Sequence, residues 1–77
     1  MTPEQCREAR KFLGWTHQRL GVRSGTSGYT VRNFELGQVR TRETNVAAIR
    51  AALEAAGMEF IPGNGGGAGV RLKKAAD

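Results

Sequence analysis

The stretch "SGTSGYTVRNFELG", Ser24 to Gly37, decides how the chain folds. Gly25 supplies a left-handed turn at low steric cost. Ser27 is a favoured helix N-cap. Gly37 closes the segment as a C-terminal stop, in the manner of Gly25. The spacing therefore predicts a short helix from Ser27 to Leu36, entered through a sharp turn. On it Thr30, Val31 and Phe34 form the expected inward stripe. Gly28, Tyr29, Arg32, Asn33 and Leu36 fall on the other side.

Upstream, Thr16 caps a second helix from about His17 to Ser24, with Leu20 as its main buried residue and Ser24 one turn on. Trp15 before it is a single large apolar anchor. This helix, the Gly25 turn and the Ser27–Leu36 helix together read as a helix-turn-helix unit. Further upstream, Thr2, Pro3 and Gln5 form a capping box with proline at the first helical position. Cys6, Ala9, Arg10 and Leu13 then recur at helical spacing as far as Gly14. Downstream of "QVRTRETN", Thr41 or Thr44 is the expected cap of a fourth helix running to Ala56. Val46, Ile49 and Leu53 mark its buried stripe. After Gly57 the period changes. "MEFIP" and "VRLKK" alternate, with Met58 and Phe60 on one side and Val70 and Leu72 on another, and read as a short β-hairpin around a loose "GNGGGAG" loop, or as two short strands. The final "KKAAD" reads as a frayed end. The expected class is mainly α: a bundle of four to five helices in residues 1–57, with a hairpin extension in residues 58–77.

The 77 residues make one domain with one small core. Cys6 is the only cysteine and His17 the only histidine, so neither an internal disulfide nor a four-ligand zinc site can form within one chain. No triad, carboxylate pair or metal set points to an enzyme or a cofactor, and Cys6 reads as an inert thiol on a buried helix face. "PGNGGGAG" lacks the following Lys-Ser/Thr and the βαβ setting of a nucleotide loop. Met1 reads as a native start, and "MTPEQCREARK" has no signal-peptide apolar region. No apolar run is long enough to span a bilayer. The expected compartment is the reducing cytoplasm.

Charge points to a partner. The net charge is +5, the sequence pI about 10.4, and nine of the twelve bases are arginine. Residues 16–42 hold five arginines (19, 23, 32, 40 and 42) and one acid, Glu35, for a local +4. A basic central segment fits a polyanion. The outer side of the third helix also fits base edges, because arginine donates twice to guanine and asparagine pairs with adenine.

At this point "WTHQRLGVRSGTSGYTVRNFELG" resembles the signature of the Cro/CI, or xenobiotic-response-element, family of helix-turn-helix regulators. The match runs through Trp15, Thr16, Leu20, Gly25, Ser27, Thr30, Val31, Phe34, Glu35 and Gly37, and the resemblance covers residues 3–57. It implies a homodimeric transcriptional regulator, a repressor or autoregulator of double-stranded DNA, with the third helix in the major groove of a palindromic operator. Gly28, Tyr29, Arg32, Asn33 and His17 would read bases. Thr16, Ser27, Arg40, Thr41 and Arg42 would hold phosphates. Arg10 and Glu35, out of place on inner helix faces, would form a partly buried ion pair. Gly21 stands where the family usually has alanine and Thr26 where it has an apolar turn residue, and Gly28 lies near the helix start.

A dimer surface is expected either on the fourth helix or at Phe60, Ile61, Val70 and Leu72. The other reading of those four residues is that they cover the chain's own helices, over Phe12. The alternative function is a protein-interaction module, such as an anti-activator or antitoxin that grips another regulatory protein.

Overall fold

The computed structural model describes residues 1–37, 39–62 and 69–72. The expected glycine loop, apart from Gly69, and the expected frayed end lie outside the described residues. Four helices come first in chain order: α1 (Pro3–Phe12), α2 (His17–Ser24), α3 (Gly28–Leu36) and α4 (Glu43–Ala55). Two strands follow, β1 (Met58–Ile61) and β2 (Gly69–Leu72). The protein is mainly helical with a small antiparallel hairpin, and among the described residues no helix is long and apolar enough to cross a membrane.

Local chemistry accounts for the helix ends. Thr2 and Gln5 form the capping box of α1, Thr16 accepts from the Arg19 N–H, and Ser27 accepts from the Thr30 N–H. Gly25 and Gly37 end α2 and α3 at φ +70° and +67°. The start of α4 differs from expectation. Neither Thr41 nor Thr44 caps it; Arg42 occupies the N-cap position with no side-chain hydrogen bond. Glu43, in the first turn, suits the positive end of the helix dipole instead.

The core is Cys6, Ala9, Leu20, Val31, Ile49, Leu53 and Met58, drawn from every helix and from β1. Phe34, Leu13, Trp15, Phe60 and Val70 pack against it. Thr30, expected inside, is only half-buried, and its hydroxyl accepts from Ser27.

Two glycines set how α2 meets α3. A Cβ on Gly21 would lie 2.3 Å from the Ser27 carbonyl carbon, and one on Gly28 would lie 2.9 Å from the Gln18 Cα. Gly21 thus trades helix propensity for close approach. Gly28 likewise faces α2, on the inner stripe with Val31 and Glu35, which corrects its placement on the outer side. Gly21→Ala is expected to lose about 1–3 kcal/mol, since overpacking against rigid backbone outweighs a propensity gain of about 1 kcal/mol. Urea denaturation checks this, and a more stable variant would show that the two helices have room to spare.

The hairpin pairs Met58 with Leu72, Glu59 with Arg71, Phe60 with Val70 and Ile61 with Gly69. Directly opposed residues share a face, so Met58, Phe60, Val70 and Leu72 lie on one side rather than two, and Glu59 and Arg71 form an ion pair on the other. A two-stranded hairpin is marginal alone. Here it is fastened from α1: Gln5 Nε2 donates to the carbonyls of Ile61 and Gly69, each at 3.0 Å, while Gln5 Oε1 accepts from the Thr2 N–H. Phe60 and Val70 pack inward on the chain's own core, whereas Ile61 and Leu72 stay exposed. Phe12 is 62% exposed and is not what the strands cover.

Candidate nucleic-acid interface

The site is built from the inside outward. Glu35 is buried on the inner face of α3, with its side chain 4% exposed. Arg10 meets it with two parallel hydrogen bonds, Nε to Oε2 at 2.7 Å and Nη2 to Oε1 at 3.0 Å. The remaining guanidinium nitrogen, Nη1, donates to the Trp15 carbonyl at 2.8 Å. The fork geometry matches a carboxylate, which makes the pair strong and directional. The hydrogen bond to Glu35 holds the Arg10 guanidinium above its ordinary value, against the opposing effect of burial.

Two further groups converge on the same carboxylate. The Cys6 thiol lies 3.7 Å from Oε2. Burial, with the neighbouring Glu35 charge, pushes that thiol from 9.0 up to about 12. His17 Nε2 lies 3.2 Å from Oε1. A carboxylate only accepts, so this nitrogen carries the hydrogen. His17 was expected to read a base or hold a phosphate. The structure turns its ring onto Glu35, because the first turn of α2 passes directly beside the buried charge, and leaves the side chain 38% exposed. Among the described residues no buried side-chain nitrogen or oxygen lacks a hydrogen-bond partner. The cluster ties α1, the Trp15 connection, the start of α2 and α3 together, and so sets the orientation of the opposite, outer face of α3.

Among the described residues nothing covers that outer face. Tyr29 is 73% exposed, Arg32 is exposed and Asn33 is half-buried. Beside it, Tyr29, Thr30 and Asn33 form one wall of a cleft of about 140 Å³ whose other wall is Val39, Arg40, Thr41, Arg42 and Asn45. Arg40 and Arg42 are exposed and Thr41 is half-buried. Among the described residues, Arg32, Arg40 and Arg42 make no ion pair with a carboxylate. The fold thus gathers Tyr29, Asn33, Arg40, Thr41 and Arg42 around one cleft, with Arg32 exposed on the same helix. Thr16 and Ser27 are exposed helix caps whose hydroxyls accept from backbone N–H groups. Gly28 packs against α2, and the His17 ring, 38% exposed, bonds to Glu35.

Two cleft residues, Val39 and Asn45, escape the sequence reading. Asn45 sits in the first turn of α4, whose boundary the wrong cap residue obscured. Val39 sits in a polar loop with no periodic signal. Compared with protein-family models and with curated proteins, the chain matches none.

Proposed function

We propose that the protein is a sequence-specific DNA-binding transcriptional regulator, of the helix-turn-helix kind that its central segment resembles. α3 enters the major groove, and the homodimer grips a palindromic operator. The observation that carries this is the outer face of α3, left open by the described residues, bearing Tyr29, Arg32 and Asn33 and flanked by Arg40 and Arg42, which make no ion pair among the described residues. Arg32 and Asn33 offer the donors and acceptors that discriminate bases. Arg40, Thr41 and Arg42 suit the phosphate backbone, as do Thr16 and Ser27 at helix starts. Two copies would read half-sites about 34–36 Å apart. With Phe60 and Val70 turned inward, Ile61 and Leu72 are the hairpin residues left to meet a second copy. Such a regulator needs no cofactor and would act in the cytoplasm.

The test is binding to palindromic duplexes from the promoter of its own gene, measured against salt. Arg32→Ala should cost about 1–3 kcal/mol and relax preference at a single base position. Arg40→Ala should weaken all duplexes alike and lower the salt slope by about one. Binding without sequence preference and without a salt slope would overturn the reading.

A further inference from the structure

The charge on α3 and its flanking loop does not account for all of the basic segment. Arg19 and Arg23 lie one turn apart on α2, both exposed, and among the described residues neither has a carboxylate within ion-pair distance. Like charges at this spacing repel each other, so the pair is costly unless something acidic meets it. The two do not belong to the α3 face. On α2 the buried side is Leu20 and Gly21, and the side toward α3 is marked by Gly21 and the Gln18 backbone. Arg23 leans the other way, toward α4. Its guanidinium stacks 5.4 Å from the centre of the Trp15 ring, and it walls a cleft floored by Ala52 and Ala55. Val22, between the two arginines, is 71% exposed. A second open cleft along α2 runs past Arg19, Val22 and Arg23.

We propose that this face of α2, formed by Arg19, Val22 and Arg23 with Trp15 beside them, docks an acidic segment of a second protein. Arginine forks pair with carboxylates in two parallel bonds, and Arg23 is held ready on the indole. Val22 and the alanine-floored cleft take an apolar side chain between the acids. A phosphate backbone offers only the edges of its sugars to those apolar surfaces, whereas an acidic peptide carries carboxylates and full apolar side chains together. Trp15 is half-buried, with its ring under the exposed Arg23, and tryptophan and arginine are the residues that most often anchor protein interfaces. The inference does not depend on α3 meeting a duplex.

Trp15 is the only tryptophan and lies under Arg23, so its emission reports on this face. The probe is a short synthetic peptide alternating glutamate and leucine, compared with its glutamine–leucine counterpart. The glutamate peptide should change Trp15 emission saturably, less so as salt rises, and the glutamine peptide should not. Arg19→Gln with Arg23→Gln should raise the peptide Kd by about tenfold or more while the chain stays folded, and should weaken duplex DNA far less than Arg40→Ala does. Val22→Glu, which keeps both arginines, should weaken the peptide as well. A glutamate peptide that leaves the emission unchanged overturns the proposal. So does a double variant that loses duplex affinity as Arg40→Ala does, which would assign the face to the phosphate backbone.

Discussion

Glu35→Ala is expected to lower unfolding stability by about 3–5 kcal/mol, the usual cost of leaving one partner of a buried ion pair alone. The side chains of Arg10 and Glu35 are only 10% and 4% exposed, so water cannot replace the lost carboxylate. Arg10 would keep only the Trp15 carbonyl, and Cys6 and His17 would lose their shared acceptor. Small domains are stable by about 5–15 kcal/mol in total, so a large share of that stability is at stake. Urea denaturation measures the loss. A second variant separates charge from packing. Arg10→Met with Glu35→Leu removes both charges and should recover most of the stability, because apolar replacement of a buried pair is often neutral. A loss below about 1 kcal/mol in Glu35→Ala would mean that the pair behaves as a solvated surface pair.

The second large effect is alkaline. The folded Cys6 thiol is raised from 9.0 to about 12, so the folded state holds its proton after the unfolded chain has released it. The resulting stability is present in full below about pH 9 and is lost as pH rises toward 12. The limiting slope is about 1.4 kcal/mol for each pH unit in that window. Cys6→Ala should flatten this slope whatever its effect at neutral pH, and unfolding midpoints between pH 8 and pH 11 would show it. Equal slopes in the two proteins would place the alkaline sensitivity elsewhere. Since Cys6 is fully buried, thiol reagents should label it only as the chain opens.

The helix boundaries were legible because they rest on neighbours in sequence. A threonine or serine that accepts from the N–H three residues on needs nothing distant, and neither does a glycine at positive φ. The α4 start was misread for the same reason: Thr41 and Thr44 have the right chemistry, but Arg42 holds the N-cap. The Arg10–Glu35 pair was found through two charges on apolar stripes and a family resemblance, and the structure has it as a two-pronged contact. Gln5 was legible only as half of a capping box. Its other amide bonds reach residues 56 and 64 positions away, a range that no local pattern encodes.

The outer face of α3 was readable in composition, since Tyr29, Arg32 and Asn33 share a helix side by spacing alone. The grouping of that side with Arg40 and Arg42 across a cleft depended on how α3 turns into α4. His17 and Gly28 show the limit most clearly. By sequence each could face a groove, but a buried carboxylate draws the ring of one and a close helix crossing claims the other. The order of residues by itself determined where α1, α2 and α3 start and stop and where the apolar stripes of the helices run, because caps, left-handed glycines and periodicity act within one or two turns. Only the tertiary structure decided which polar residues turn inward and which remain open to a partner, because that choice depends on charges and backbones brought together from distant parts of the chain.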